Sequence, residues 1–501
     1  MTKLSRLTRN SLTVAFFFLI DKVLAFVRTG IISRQYSDEV HLLDTFNAAN
    51  NLPDLLFALI SGGALAMAFI PLLTEYITTK DRAAAWDLFS RVANIGFLVT
   101  GGFAIFIAMF AQQIVDANLG IAPGFGAEQR KLLADLMRLN LIGTIIFSIS
   151  GLVMASLQAN QHFVLPALAP GMYNVGQILG AIFLVPRFGI HGLVYGVILG
   201  AAFHLLIQVP GLIMYGFRWT PAVDLRHTGL IEALKLMAPR LFTMAGIQII
   251  FIARDNLASR LDQVGAVTSL TYGWMIMQVP ETILGTAIAT AMLPALSELA
   301  SKQDWHGFSV TVERALRVLI ALTLPIAAVM AAGIHPLVRG IFGFSEEISQ
   351  LITWTTRAYL ATLTGYTIHE IAIRAFYARK EPMIPLYAVA IRLLIFLTIG
   401  ILGVTYFQDI GAPVIAFAEI ALLIEAVIIL GWLSKRTHEP LKTNTVIIKG
   451  LIAAIVGGIL AYLIALYLPG GAISTALIGM IVGGIISLAI IWSEAKIVLK
   501  L

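Results

Sequence analysis

The sequence predicts an all-α polytopic membrane protein, and its composition and hydropathy pattern carry that prediction. Of the 501 residues, 58% are hydrophobic and only 12% are charged, with a mean hydropathy of +0.88. Soluble domains carry about 25% charged residues. The apolar runs are continuous and about 20 residues long, as a spanning helix requires, whereas a barrel would alternate in segments of about 10 residues. Only these two structures satisfy every backbone group in lipid, so we predict helices.

Fourteen apolar segments are predicted to cross the membrane, in groups of six, six and two. They lie at 11–34, 48–77, 86–115, 131–157, 163–186, 190–216, 239–262, 266–300, 308–333, 347–378, 383–406, 411–434, 446–468 and 472–494. Two polar breaks separate the groups. We therefore predict an N-lobe at 1–217, a cytoplasmic amphipathic linker at 218–238, a C-lobe at 239–434, a cytoplasmic linker at 435–445 and a C-terminal helix pair at 446–501.

Lysine and arginine concentrate in one set of the predicted loops, which by the positive-inside rule places both termini in the cytoplasm. The first apolar run follows a basic start and resembles a signal peptide in that respect. It is interrupted by Asp21, Lys22 and Arg28, so we interpret it as a retained first helix.

The second and eighth segments share a proline pattern. Asn51-Leu52-Pro53 precedes Pro71, and Gln278-Val279-Pro280 precedes Pro294. Six plus six segments in the same order predict parallel repeats in a pseudo-two-fold arrangement around a central cavity. The alternative is that proline and glycine are simply common in membrane helices. The candidate hinge residues are Pro53, Gly62, Gly63 and Pro280.

Ionisable residues inside predicted spans are costly and usually functional. In the first span, Lys22 and Arg28 could meet an anionic head group, or they could extend to the interface or pair with a carboxylate. At the start of the second span, Asp44 and Asn51 add polar groups that could line a cavity.

The second half offers further candidate cations. Arg254, Asp255 and Arg260 form either a local pair with an interfacial arginine or a second ion site. Arg374 lies four residues after Glu370, a spacing that favours a structural pair along one helix face. Arg392 has no obvious local partner and is a weaker cavity candidate.

Motifs of other protein classes are missing from the sequence. There is no cysteine, so no thiolate metal site or disulfide is predicted. There is no HExxH motif, phosphate-binding loop or Asp-rich diphosphate–magnesium motif. The net charge of +6 is small for this length and lies mostly in loops, which argues against nucleic-acid binding.

Several sequence blocks together resemble the MurJ/MviN family, the lipid II flippases of the MOP exporter superfamily. The blocks are KVLAFVR (22–28), Asp44-Thr45-Phe46 with LPDLL (52–56), GGA (62–64), AFIPLLTEY (68–76), LQANQHFVLPALAP (157–170), VPETILGTAIATAMLPALSE (279–298) and RAFYARKEPMIP (374–385).

The resemblance implies a transporter rather than an enzyme, with two six-helix lobes around a cationic cavity and a lipid-tail groove on the final helix pair. It implies a bacterial plasma membrane protein that moves undecaprenyl-diphosphate-linked peptidoglycan precursor to the outer leaflet, without cofactor, and that works beside cell-wall synthesis proteins. A coupling ion or the membrane potential would drive it. Arg28 and Asp44 match family positions, and Lys22 stands where another arginine is usual.

Some family positions are changed in this chain. Phe57 and Ala58 replace an arginine pair, Gly62 replaces a glutamate, and Trp274 and Met275 replace an Asp-Arg pair. Asp255 is the one sodium-ligand candidate, so no metal site is predicted. The alternatives are another exporter of the superfamily, for O-antigen-type lipids or drugs, and a non-transporting membrane scaffold.

Overall fold

The structure is a computed structural model that describes residues 6–60, 64–224, 228–381 and 383–497. Within these ranges every regular element is helical, which confirms the predicted all-α class. The chain divides into two compact units, Met1–Asn256 and Leu257–Leu501, called here the first and second unit.

Twelve α-helices begin in the first unit, and the last of them ends three residues into the second. They are α1 (Arg6–Gln35), α2 (Val40–Ala48), α3 (Asn51–Ile60), α4 (Ala64–Thr79), α5 (Arg82–Met109), α6 (Ala111–Asp116), α7 (Ala127–Ala159), α8 (Val164–Leu179), α9 (Val185–Phe188), α10 (His191–Leu206), α11 (Val209–Met214) and α12 (Thr228–Ser259). A π-helical turn, Gly180–Leu184, joins α8 to α9.

The second unit contributes the remaining helices. They are α13 (Ala266–Pro280), α14 (Ala287–Ser301), α15 (Trp305–Phe342), α16 (Glu346–Ala378), α17 (Met383–Tyr406), α18 (Ala412–Phe417), α19 (Ile420–Thr437), α20 (Asn444–Tyr467), α21 (Ala472–Ile490) and α22 (Trp492–Ala495). A π-helical segment, Glu281–Thr286, links α13 to α14, and a 3-10 turn, Gln408–Ile410, precedes α18.

Eleven spans in the described part of the chain are long and apolar enough to cross a membrane, and each matches one predicted segment. The other three predicted segments are 11–34, which is α1, 48–77, which covers α3 and α4, and 347–378, which is α16. The polar residues of α16 reduce its mean hydropathy. The total of fourteen crossings therefore stays a prediction.

Polar residues in the sequence determine where several helices begin. Asp81 caps α5 by accepting the backbone N–H of Ala84, and Asp304 caps α15 in the same way. Such caps satisfy amide groups that have no partner inside the helix. Helix α12 begins at Thr228, so the second half of the stretch predicted as a linker at 218–238 is helical.

Glycines allow α8 and α10 to pack closely within the first unit. A Cβ atom on Gly176 would lie 2.3 Å from the Cα of Gly200, and one on Gly180 would lie 2.3 Å from the Cα of Gly196. Both pairs repeat at four-residue spacing, the small-xxx-small pattern that brings membrane helices together without a hydrophobic driving force.

The final helix pair, in the second unit, also packs closely through small residues. A Cβ atom on Gly483 would lie 2.4 Å from the backbone oxygen of Gly457, and one on Gly479 would lie 2.5 Å from that of Ala461. Helices α20 and α21 pack on each other and on α15. Their outer faces stay apolar, with Ile455 and Ile481 more than half exposed, as expected for a surface in contact with lipid.

The first proline of each predicted repeat lies at an irregularity of a helix. Pro53 is buried in the first turn of α3, just after the break that separates α3 from α2. Pro280 ends α13, and the π-helical segment follows it directly. These positions agree with a bending role, which remains a prediction. Gly62 and Gly63 lie outside the described residues.

Candidate functional site

Arg28, one of the sequence-predicted cations, is held by a neutral side chain of another helix. It lies half-buried on α1, and its Nη1 donates to Oδ1 of Asn174 on α8 at 2.9 Å. Nδ2 of Asn174 in turn donates to Oδ1 of Asp21 at 2.8 Å. Asp21 and Arg28 are two helical turns apart, so both face α8. A neutral amide, rather than a carboxylate, therefore holds the arginine in place.

A second cluster in the first unit joins α3 to α12. Nδ2 of Asn51 donates to Oδ2 of Asp255 at 2.8 Å, and Nε of Arg254 donates to Oδ1 of the same carboxylate at 2.8 Å. All three residues are buried. Both oxygens of Asp255 are engaged and one partner is a cation, so the charge of this buried carboxylate is compensated at the contact between the two helices.

Tyr173 and Asp54 lie between these two clusters. Tyr173, next to Asn174, interacts with both Arg28 and Asp54. Asp54 in turn interacts with Asp255. Polar and charged side chains of α1, α8, α3 and α12 therefore lie near one another in the first unit.

The remaining predicted residues of this half lie in different surroundings. Lys22 is exposed on α1, whereas Asp44 on α2 is almost fully buried. Arg260 follows the end of α12, is exposed and belongs to the second unit. The structure thus brings Asn51, Arg254 and Asp255 together.

The second unit holds a buried ionic cluster between α16, α17 and α19. Nη2 of Arg392 lies 2.6 Å from Oε2 of Glu419, which also accepts a hydrogen bond from the Tyr366 hydroxyl at 2.8 Å. The exposed fractions of Arg392 and Glu419 are 3% and 1%. A pair this deeply buried persists only because each charge offsets the other.

Three residues after Tyr366 on α16, His369 lies beside Glu425 of α19. Nδ1 of His369 is 3.3 Å from Oε1 of Glu425, and both side chains are buried. Within the described residues neither of these two atoms has a hydrogen-bond partner. Sequence reasoning missed both acidic residues of this bundle, because a lone glutamate in an apolar segment shows no spacing pattern.

Arg374 pairs along its own helix, as its spacing favoured. Its Nη1 donates to the carboxylate of Glu370, and its Nη2 donates to the Thr290 hydroxyl at 3.2 Å. Arg254, Arg374 and Arg392 thus each contact a carboxylate, whereas no described carboxylate lies within ion-pair distance of Arg28. In the part of the chain that the structure describes, no group of three acidic, histidine or cysteine residues is arranged to hold a metal ion.

A model of one protein family, described as "Lipid II flippase MurJ", matches residues 40–481. A curated relative, the lipid II flippase MurJ of Burkholderia cenocepacia, is 29% identical over 431 residues, covering 83% of this chain and 81% of that protein. The probable lipid II flippase MurJ of Haemophilus influenzae is 26% identical over 470 residues, covering 88% of this chain and 89% of that protein.

Solved structures show the same fold. A structure titled as a lipid II flippase MurJ in an inward closed conformation has a TM-score of 0.78 at 20% identity, covering 98% of this chain and 99% of the other. An inward-facing multidrug resistance MATE family transporter of the MOP superfamily has a TM-score of 0.73 at 13% identity, covering 83% of this chain and 94% of the other.

Proposed function

The chain belongs to the MurJ family of lipid II flippases, and on this premise we propose how it binds and moves its substrate. It is a multi-pass membrane transporter of the lipid that carries the peptidoglycan precursor. We infer that it moves the diphosphate-linked head group from the inner to the outer leaflet of a bacterial plasma membrane, with both termini in the cytoplasm. The polyprenyl tail stays in lipid throughout.

Arg28 is the observation that supports this proposal best. Its guanidinium has five N–H donors, and one of them donates to Asn174. No described carboxylate forms an ion pair with it, and the electrostatic interaction with Asp21 balances its positive charge only in part. Arginine binds phosphate oxygens through paired N–H donors, so a diphosphate is the chemical group that this position would recognise.

The neighbouring carboxylate cluster has a different role in this proposal. Arg254 and Asn51 occupy both oxygens of Asp255, so these residues position α12 against α3 and leave the anion to Arg28. Sodium binding at Asp255 would require the arginine to move away. A head group drives alternating access only when it binds the two states with different affinity, and contact with Arg28 in one state would supply that difference.

A transport assay in liposomes tests the proposal. The purified chain is reconstituted with lipid II, and the lipid that reaches the outer leaflet is measured with a reagent that cannot cross the bilayer. The wild type should move lipid II, and Arg28→Gln should reduce the rate at least tenfold, because a charge-assisted hydrogen bond contributes about 1.5–3 kcal/mol. Arg28→Lys should retain part of the activity.

Arg138→Gln is a matched control. Arg138 also lies on a membrane helix of the first unit, but its Nη1 donates to Asp135 at 2.6 Å, so its charge is already paired. The Arg138→Gln protein should transport lipid II at nearly the wild-type rate. A folded Arg28→Gln protein as fast as the wild type would remove Arg28 from the mechanism. A wild type that moves another polyprenyl or drug substrate but not lipid II would favour the other exporters of the superfamily, and no transport at all would favour a scaffold.

A further inference from the structure

A cavity in the second unit opens between α15, α16 and α20, near the ends of these helices at Phe342, Glu346 and Tyr467. Its volume is about 460 Å³. One arginine, Arg357, lines it together with two aromatic side chains, Trp354 and Tyr462. The volume is within the range of small-ligand pockets in proteins.

Arg357 lacks a carboxylate partner among the described residues. Its Nε donates to the backbone oxygen of Ala331 at 2.8 Å, and its guanidinium carbon lies 4.6 Å from the centre of the Trp354 ring. Among the described residues its guanidinium forms no ion pair, and Tyr462 is the other group that interacts with it electrostatically. Like Arg28, it is therefore positioned by neutral groups, and its charge remains available.

Arg357 also lies deep along its helix. It is eleven residues after Glu346, the first residue of α16, which corresponds to about 17 Å along the helix axis. An arginine at such a depth is costly unless an anion or water solvates it. A negatively charged group inside the cavity would therefore stabilise this arginine.

The carboxylate nearest to the mouth of the cavity is already engaged. Oε1 of Glu346 lies 3.1 Å from Nε2 of His335 and 3.0 Å from Nε2 of Gln350, and its Oε2 lies 2.8 Å from Nη1 of Arg339. These contacts hold Glu346 at the rim, so it does not neutralise Arg357. They also leave the rim without net negative charge that would repel an anion.

The cavity is open towards apolar surface. Trp354 and Leu466 on its wall are 58% and 56% exposed, and both lie on helices predicted to cross the membrane. Basic pockets between membrane helices bind anionic head groups. We propose that this cavity binds the phosphate of a lipid, with Arg357 contacting the phosphate and the acyl or prenyl chain lying along Trp354 and Leu466.

Matched lipid pairs test the proposal on the full-length protein in detergent. The probes are phosphatidylglycerol against diacylglycerol, undecaprenyl phosphate against undecaprenol, and inorganic phosphate alone, with binding followed by native mass spectrometry. We expect each phosphate-bearing lipid to bind at least tenfold tighter than its phosphate-free partner. Whichever of phosphatidylglycerol and undecaprenyl phosphate binds more tightly identifies the source of the phosphate. Equal binding within both pairs, or inorganic phosphate binding as tightly as the lipids, would overturn the proposal.

Variants locate the site. Arg357→Gln should lose about tenfold in affinity for the preferred lipid, and Arg357→Lys should recover part of it. Arg436→Gln is the control, since Arg436 is a surface arginine of the same unit that pairs with Glu381. An Arg357→Gln protein that melts like the wild type and binds the lipid equally well would contradict the assignment.

Trp354 offers a second measurement that does not depend on the arginine variants. Its fluorescence should change on addition of the phosphate-bearing lipid, and Trp354→Phe should remove that change. A signal that persists in Trp354→Phe would place the lipid elsewhere. The binding measurements need no transport, so they can succeed in a protein that fails to move lipid II, and the two proposals fail independently.

Discussion

The ion pair between Arg392 and Glu419 allows a quantitative test of how the second unit is stabilised. Glu419→Gln removes the negative charge but keeps the shape of the side chain. Oε2 of Glu419 accepts from Arg392 at 2.6 Å and from the Tyr366 hydroxyl at 2.8 Å. The substitution leaves Arg392 buried with its charge largely uncompensated, and that is the dominant cost.

The expected loss is about 3 kcal/mol in the free energy of unfolding. Removing one member of a buried ion pair costs about 3–5 kcal/mol. Two features of this site favour the lower end of that range. The glutamine oxygen can still accept the hydrogen bond from Tyr366, and Glu425 interacts electrostatically with Arg392, so part of the arginine's charge remains balanced. A loss of this size shifts the unfolding equilibrium roughly a hundredfold.

Reversible unfolding in detergent by a denaturant measures this loss. Trp274 reports on the site by fluorescence, because its ring centre lies 5.1 Å from that of Tyr366. A double-mutant cycle with Arg392→Met and Glu419→Met isolates the pair. The double variant should be more stable than the sum of the single losses predicts, since two apolar residues leave no buried charge. Losses below 1 kcal/mol for Glu419→Gln, or additive losses in the cycle, would refute this reasoning.

Two further predictions concern helix packing and pH. Gly176→Ala should destabilise the first unit by about 1–3 kcal/mol, because the added Cβ would meet the backbone of α10. Gly101→Ala is the control and should unfold like the wild type, because its added Cβ would meet nothing within 4 Å. Burial alone would raise the pKa of Glu494, but hydrogen bonds from Lys449 and Arg317 outweigh it and hold that pKa below its ordinary value of 4.5. The stability that ionised Glu494 contributes is fully present above pH 4.5 and is lost as the pH falls through the lowered pKa. Glu494→Gln should therefore cost roughly 1–2 kcal/mol at neutral pH and flatten the acid limb of a stability–pH curve, and an unchanged acid limb would exclude this role.

The amino-acid sequence was sufficient for the fold class, most helix positions and the family. Long apolar runs must become helices in lipid, because no other open structure satisfies the backbone there. Eleven of the predicted segments accordingly match observed helices that meet the criteria for a span. The four-residue spacing between Glu370 and Arg374 also predicted their pairing, since residues four apart share a helix face.

The partners of the other charges required the folded chain. Arg28 and Asn174 are 146 residues apart, and Asn51 and Asp255 are 204 apart, so no local spacing reveals that they meet. The local sequence does not distinguish Arg357 as a site residue, because one arginine in a segment rich in threonine resembles an interfacial residue.

Hydropathy and residue spacing depend only on the local chain, and they determined that this protein is a helical membrane protein with costly charges in its spans. Whether a buried arginine is neutralised depends on side chains that arrive from distant helices. That is why the fold was needed to separate Arg254, Arg374 and Arg392, which carboxylates engage, from Arg28 and Arg357, whose charges remain available to an anion.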